Sequence, residues 1–204
     1  MDGTLVDSSY AMTKALSTAR RTIGLEPLDR DEVISILDSD EREIPRKLFG
    51  DGGDAERCRD VFRKIYGEIS PSETKIYDEM EWTLRTLSSM DIHLSVATNA
   101  STRFAVNILE GCGIYSLFDT VVGADIVKRP KPYPDMVNHI VRMRDHYSPE
   151  TTILIGDSHK DMESAHSAGV KPFFAGWGYG RYLSQRDTLL SKPSEIISIA
   201  LPIS

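Results

Sequence analysis

The sequence predicts an α/β fold: a parallel sheet covered by helices, with a separate helical lobe inserted near the N-terminus. Two observations lead to this prediction. Apolar residues recur at helical spacing between Ser8 and Ile69. After Pro71, helical patterns alternate with short segments rich in β-forming residues. Alternation of this kind is typical of strands joined by crossover helices.

The helical lobe is predicted over residues 9–70. Its apolar positions include Leu16, Ala19 and Ile23, which lie three or four residues apart. Gly24 and the glycine-rich residues 50–53 break the pattern, so we expect three or four short helices. Residues 1–8 and 71–204 then form the α/β core.

The core is predicted to contain four strands and four connecting helices. The strands are expected at residues 92–98, 120–123, 152–155 and 172–175. The helices are expected at residues 79–90, 102–109, 134–146 and 160–168. Ligand sites of such sheets gather where the strands end, so the residues just after each strand are the candidates for function.

Composition excludes several classes of function. The 204 residues carry a net charge of −7, which argues against a broad basic surface for nucleic acid. No apolar run approaches the roughly 20 residues that a membrane span needs. Cys58 and Cys112 are far apart and lack metal-like spacing, so neither a disulfide framework nor a zinc site is expected. Without a secretory signal pattern in this chain, a reducing cytoplasm fits best.

Two polar segments near predicted strand ends suit phosphate chemistry. Asp2 stands in a glycine turn, where its carboxylate could act as a general acid and base. Thr98 and Asn99 precede a predicted helix, whose free N–H groups favour phosphate oxygens. Each segment also has a plain structural interpretation: an ordinary turn for Asp2, and a helix cap at Asn99 or Ser101.

Two further segments add charge. Lys131 lies among prolines that would hold its ammonium beside developing negative charge, although a basic loop is more often simply solvated. Asp157 follows an apolar strand, and Asp161 comes four residues later where a helix begins. Two carboxylates on one side of a first helical turn suit Mg²⁺, while a capping aspartate with a solvated partner is the alternative.

Taken in order, the segments MDGTLVDS, VATN, KPYPD and GDSHKD resemble the haloacid dehalogenase-like phosphatases, most closely their phosphoglycolate phosphatase-type branch. The resemblance covers nearly the whole chain and implies a Rossmann-like core with a helical-bundle cap. It implies that Asp2 is the general acid and base, with its backbone carbonyl as a magnesium ligand. The residues 176–180 are similar to the family's loop after its last core strand.

The same resemblance assigns the remaining site residues. Thr98 and Lys131 match the groups that hold the transferred phosphoryl, and Asn99 orients the loop or the substrate. Asp157 matches the acidic magnesium ligand, and Asp161 acts on the metal directly or through water. The cofactor implied is therefore Mg²⁺, and the implied partner is a small phosphorylated metabolite.

The sequence departs from the family pattern at its start. The family's nucleophilic aspartate stands two residues before the general acid, and that position falls one residue before Met1. The first core strand, normally central in the sheet, is also absent, which predicts a gap of about 10 Å between the flanking strands. Either translation starts upstream of Met1, or the chain is a truncated relative. We favour the first, because a sheet without its middle strand leaves backbone groups unsatisfied.

The predicted function is a Mg²⁺-dependent phosphomonoester hydrolase that works through an aspartyl-phosphate. A sugar phosphomutase of the same superfamily and a catalytically inactive binding protein remain alternatives. A dehalogenase of this superfamily needs neither Asp2 nor Asp157, and a signalling receiver domain has no inserted helical lobe. The side chains that select the substrate, and the oligomeric state, are not readable from the sequence.

Overall fold

A computed structural model describes residues 1–37, 39, 42–143, 147–181 and 186–200. The chain divides into two compact units, Met1–Asp7 with Ile76–Ser204 and Ser8–Lys75. The helical unit ends at Lys75, later than the predicted boundary at residue 71, because a helix continues through Pro71 to Glu73. None of the helices in the described ranges combines the length and the apolar character that crossing a bilayer requires.

The Ser8–Lys75 unit is helical. Its helices are α1 (Ser9–Arg21), α2 (Arg30–Leu37), α3 (Ile44–Phe49) and α4 (Gly53–Glu73). Their shared core contains Leu16, Val33 and Phe49, which are buried. The buried Arg20 donates hydrogen bonds to the carbonyls of Glu26, Lys47 and Leu48, so it ties the segment between α1 and α2, and the last turn of α3, to α1.

Helix α4 is longer than expected, with 21 residues. Proline removes one helical hydrogen bond and normally ends a helix. Here Pro71 lies in the last turn, and the N–H of Thr74 still donates to the carbonyl of Ser70 (3.2 Å). The predicted set of short helices is therefore wrong for α4.

The other unit is the α/β part. Its strands are β1 (Val6–Asp7), β2 (Lys75–Ile76, at the crossing), β3 (Ser95–Ala97), β4 (Thr120–Val122), β5 (Ile153–Gly156), β6 (Lys171–Ala175) and β7 (Thr188–Leu190). Its helices are α5 (Met80–Ser89), α6 (Thr102–Gly111), α7 (Asp135–Val141), α8 (His159–Ala168) and α9 (Glu195–Ala200), with 3₁₀ turns at Tyr115–Leu117 and Pro149–Thr151. The predicted fold class is confirmed.

The strands from β3 to β7 pair in parallel. β3 pairs with β4, and β5 pairs with β6, which pairs with β7. Within the described residues, no pairing joins β3 to β5. A cavity of about 660 Å³ lies between these two strands, lined by residues 94–97 and 152–155 among others.

Most predicted core elements match observed ones within a few residues. Helix α7 is shorter than the predicted 134–146, since it ends at Val141, and residues 144–146 lie outside the described part. The strand Thr188–Leu190 was not predicted. It has only three residues, too few to show an alternating pattern.

Candidate active site

The turn that carries Asp2 is built from the first residues of the chain. The carbonyl of Met1 accepts hydrogen bonds from the N–H groups of Thr4, Leu5 and Val6 (3.2, 2.8 and 3.2 Å). Gly3 has a φ of 76°, and a Cβ there would overlap the carboxylate of Asp157. Glycine is therefore required at this point by backbone conformation and by space. The turn brings Gly3, which follows the half-buried Asp2, against Asp157 at the end of β5.

Asp157 follows β5 and is buried, with 5% of its surface exposed. One carboxylate oxygen accepts from the Thr4 hydroxyl (2.9 Å), and the other accepts from the N–H of Tyr179 (2.9 Å). Burial, and next the nearby charge of Asp161, raise the pKa of Asp157 above its ordinary value. A buried carboxylate of this kind favours a cation as its neighbour.

Asp161 lies in the first turn of α8. Its Oδ2 accepts from the backbone N–H of Ser158 (3.1 Å) and from the Ser158 hydroxyl (2.6 Å). Its Oδ1 accepts from the Nζ of Lys131 (2.6 Å). Burial acts to raise the pKa of Asp161, but the charge of Lys131 and these hydrogen bonds outweigh it, so the pKa lies below the ordinary value.

Lys131 is buried, with 7% of its surface exposed. Besides its ion pair with Asp161, its Nζ donates to the carbonyl of Ala97 (2.7 Å) at the end of β3. Asn99 fixes the backbone of Lys131, because its Nδ2 donates to the Lys131 carbonyl (2.8 Å) and its Oδ1 accepts from the Lys131 N–H (3.0 Å). Two hydrogen bonds thus hold the ammonium, and Asn99 holds the backbone that carries it.

Thr98 ends the segment that includes β3 and is buried, with 3% exposed. Its N–H donates to the carbonyl of Val122 (3.0 Å), which extends the pairing of β3 with β4. Its hydroxyl accepts from the N–H of Ala100 (3.2 Å) in the turn before α6. The hydroxyl therefore lies at the junction of strand and helix that the sequence predicted.

The four sequence segments meet at one place. Thr4 joins the first turn to Asp157, the first turn of α8 joins Asp157 to Asp161, and Lys131 joins Asp161 to the end of β3. All these contacts lie at the carboxyl ends of parallel strands, where ligand sites of α/β folds are found. A fixed cation, two buried carboxylates and a hydroxyl at this edge suit the binding of a metal ion with a phosphate group.

Sequence reasoning missed three contributors, Thr4, Trp177 and Tyr179. The indole N–H of Trp177 donates to the Thr4 carbonyl (2.8 Å), and the Tyr179 hydroxyl donates to Asp7 (2.8 Å). Burial, and next the charge of Asp2, raise the pKa of Tyr179 far above its ordinary value, so its hydroxyl stays a donor. The glycines of residues 176–180 were the available signal, since they mark a loop after the last long strand.

Magnesium is the cation that the motifs imply, and the donor set fits it. Mg²⁺ takes one or two carboxylates and completes its coordination with water and phosphate oxygens. Asp157 is buried beside a second carboxylate, so a cation there would compensate an unfavourable charge. Across the described ranges, no group of three or more His, Cys, Asp and Glu side chains is arranged to hold a metal. The remaining ligands would therefore come from main chain, water or substrate.

Comparisons with known proteins agree with this geometry. The model of the haloacid dehalogenase-like hydrolase family matches residues 1–175. The phosphoglycolate phosphatase of Aquifex aeolicus is 32% identical over 200 residues, covering 98% of this chain and 93% of that protein. The phosphoglycolate phosphatase of Escherichia coli K12 is 28% identical over 232 residues, covering all of this chain and 92% of its own.

Solved structures share the fold. A predicted phosphoglycolate phosphatase from Haemophilus somnus superposes with a TM-score of 0.89 at 22% identity, covering 98% of this chain and 95% of that one. A subfamily IA hydrolase from Geobacter sulfurreducens superposes with a TM-score of 0.75 at 27% identity, covering 98% and 92%. The likeness thus extends through the whole of this chain.

Proposed function

Because this chain belongs to the haloacid dehalogenase-like hydrolase family, we propose that it is a Mg²⁺-dependent phosphatase of a small phosphorylated metabolite. Phosphoglycolate is the first candidate substrate, since relatives across nearly the full length are phosphoglycolate phosphatases. The proposal extends the hydrolase class to a substrate, a metal and a set of residue roles.

One observation carries the proposal. The buried Lys131 ammonium lies between the carbonyl of Ala97 and the carboxylate of Asp161, at the strand ends where Thr98 and Asp157 also lie. A lysine fixed in this way can stabilise the negative charge that develops on a phosphoryl group without reorganising. Loops at unrelated positions of the fold would not bring Lys131, Thr98 and Asp157 to the same edge of the sheet.

Asp157 and the backbone carbonyl of Asp2 would hold Mg²⁺, with Asp161 in contact directly or through water. The ion would supply neutralisation of the phosphate oxygens. Asp161 has both oxygens engaged, with Lys131 and with Ser158, so the contact through water suits it better. Its main role in the proposal is to hold Lys131 in position.

The proposed reaction has two steps. In the family's pathway, a carboxylate at the nucleophile position, which falls one residue before Met1 in this numbering, attacks phosphorus while the alkoxide leaves and takes a proton from Asp2. Asp2 then removes a proton from water, whose oxygen attacks phosphorus and releases inorganic phosphate and the free carboxylate. Thr98 and Lys131 bind the phosphoryl oxygens in both steps, and Asn99 keeps the loop of Lys131 in place.

Phosphate release tests the function. We expect the protein extended before Met1 by VIVFD, five residues that end in aspartate, to release phosphate from phosphoglycolate with Mg²⁺. The matched extension VIVFN should be slower by on the order of a thousandfold or more, because a nucleophile is lost. Asp2→Asn in the active protein should cost about 10²–10⁴-fold. Equal phosphate release by the VIVFD and VIVFN proteins would contradict the proposal.

A further inference from the structure

The turn that joins β3 to α6, residues 98–102, is bonded to the segment that follows β4. The N–H of Thr98 donates to the carbonyl of Val122 (3.0 Å), and the carbonyl of Ala100 accepts from the N–H of Ala124 (3.0 Å). Thr98 is the residue whose hydroxyl is proposed to bind phosphate. Its position therefore depends on a segment that is distant in the sequence.

The side chain of Asp125 extends this connection to the first residue of α6. Its Oδ1 accepts from the backbone N–H of Thr102 (2.6 Å) and from the Thr102 hydroxyl (3.0 Å). The first N–H groups of a helix have no acceptor within the helix and need one from outside. Ser101, which the structure describes at the N-cap position, provides none with its side chain. Asp125 therefore caps α6 from another part of the chain.

Asp125, Thr102 and Gly123 are packed closely. The Thr102 hydroxyl accepts from the N–H of Gly123 (3.2 Å) while it donates to Asp125. A Cβ on residue 123 would overlap the Thr102 nitrogen and the Asp125 carboxylate, so only glycine leaves room for these bonds. The start of α6 is thus fixed by contacts, and a change of the acceptor at residue 125 acts on it directly.

These contacts use alternate N–H groups of the turn. The N–H groups of Thr98, Ala100 and Thr102 each donate to an acceptor within the protein. Among the described residues, no protein acceptor receives a hydrogen bond from the N–H of Asn99 or Ser101. Free N–H groups at the start of a helix favour phosphate oxygens. Because protein acceptors hold the other three, these two stay available in the same turn as the Thr98 hydroxyl.

The charge of Asp125 acts against its geometry. The hydrogen bond from the Thr102 N–H lowers the pKa of Asp125, so its carboxylate is ionised at neutral pH. A negative charge at a helix N-terminus offsets part of the attraction that this end has for phosphate. Asp125 is exposed, and solvent screens its charge, so this effect should amount to less than about fivefold in affinity. The position of the acceptor should matter more than its charge.

We propose that Asp125 is a positioning residue for phosphate. Through its bonds to Thr102, it holds residues 98–102 in the conformation in which the Thr98 hydroxyl and the free N–H groups bind phosphate oxygens. Asp125 contacts the turn and not the phosphate, and it lies outside the four segments from which the site was predicted. The inference rests on the proposed function for its ligand, whereas the bonds to the turn are present without any ligand.

Calorimetric titration of inorganic phosphate in the presence of Mg²⁺ tests this role. Asp125→Asn keeps an oxygen acceptor in the same place, so we expect phosphate to bind as tightly as in the wild type or up to about fivefold more tightly. Asp125→Ala removes the acceptor and should weaken binding by about tenfold or more. Asp60→Ala, at an exposed position on α4, is the matched control and should bind as the wild type does. Equal losses in Asp125→Asn and Asp125→Ala, or wild-type affinity in Asp125→Ala, would overturn the proposal.

Amide exchange measured by NMR on the ligand-free protein separates this inference from the proposed function. Exchange at Ala100 and Thr102 should be faster by about tenfold or more in Asp125→Ala and close to the wild type in Asp125→Asn, while residues 188–190 of β7 stay unchanged. Faster exchange in Asp125→Ala, with no phosphate binding by the wild type, contradicts the proposed function alone. Unchanged exchange at both residues, or unchanged phosphate affinity in Asp125→Ala, contradicts this inference alone.

Discussion

The carboxylate of Asp157 is almost completely buried and lies near the carboxylate of Asp161. Its pKa is raised in the folded protein, first by burial and then by Asp161. A group with a raised pKa binds its proton more tightly in the folded state, so it favours folding once protonated and opposes it when ionised. The metal-free protein should therefore be less stable at neutral pH than the same fold without this charge.

We expect Asp157→Asn to raise the free energy of unfolding of the metal-free protein at pH 7 by about 0.5–2 kcal/mol. In the wild type, protonation of Asp157 should add stability as the pH falls from 7 towards about 4, and the variant should lack this gain. Urea unfolding at several pH values measures both effects. Asp60→Asn, at an exposed position on α4, is the matched control. Lower stability of Asp157→Asn at pH 7 would count against a costly buried charge.

The Lys131–Asp161 ion pair is expected to behave as a unit, since both side chains are buried. Lys131→Met or Asp161→Asn alone leaves a buried group without its partner, which typically costs about 3–5 kcal/mol. The double variant should lose clearly less than the sum of the two. A double-mutant cycle by urea unfolding measures this coupling, and additive losses would show that the two side chains do not depend on each other.

The same pair has an opposite pH dependence to Asp157. The pKa of Asp161 is depressed, so its stabilising contribution is present above the ordinary value of about 3.9 and is lost as the pH falls below it. At the residue scale, the sequence predicted Asp157, Asp161 and Lys131 as site residues from their motifs. It did not predict that Asp161 pairs with Lys131, because the two residues are 30 positions apart in the sequence and only the fold brings them into contact.

The loop of residues 176–180 follows β6 and contacts the turn formed by the first residues of the chain. Trp177 contacts the Thr4 carbonyl, and Tyr179 contacts both Asp157 and Asp7. Gly178 permits this approach, because a Cβ there would overlap the carbonyl of Gly3 and the side chain of Asp157. The loop therefore holds Asp157 and the Asp2 turn in one arrangement.

We expect Gly178→Ala to weaken Mn²⁺ binding, used as a probe for Mg²⁺, by about 10–100-fold, because it displaces groups that support a metal ligand. Trp177→Phe should have a smaller effect in the same direction, since it removes one hydrogen bond. Gly53→Ala is the control, at a position where a Cβ meets no atom within 4 Å. Calorimetric titration measures the affinities, and unchanged binding by Gly178→Ala would mean that the loop does not position the site.

Elements differed in how well the sequence predicted them. β5 and α8 were predicted within two residues, because an apolar run ends at Gly156 and Ser158 and Asp161 form a capping box. The strand Thr188–Leu190 was missed because its environment comes from pairing with β6, not from its own pattern. Local sequence is least informative where tertiary contacts decide the structure.

At the scale of the whole molecule, the chain forms two compact units, and a cavity lies between β3 and β5 of the α/β unit. The α/β class followed from the alternation of strands and helices. That no described strand lies between β3 and β5 followed only from the family resemblance, because periodicity says nothing about which strands are neighbours. The substrate-selecting residues were not predictable, since charged residues on short helices are usually solvated.

The central claim is that separate loops form one site for a divalent cation and phosphate. Calorimetric titration of inorganic phosphate into the protein, with and without Mg²⁺, tests it most directly and needs no turnover. We predict phosphate binding that requires Mg²⁺ and is weakened about tenfold or more by Asp157→Asn, while Asp60→Asn binds as the wild type does. A phosphate affinity that changes neither when Mg²⁺ is removed nor in Asp157→Asn would contradict this proposal.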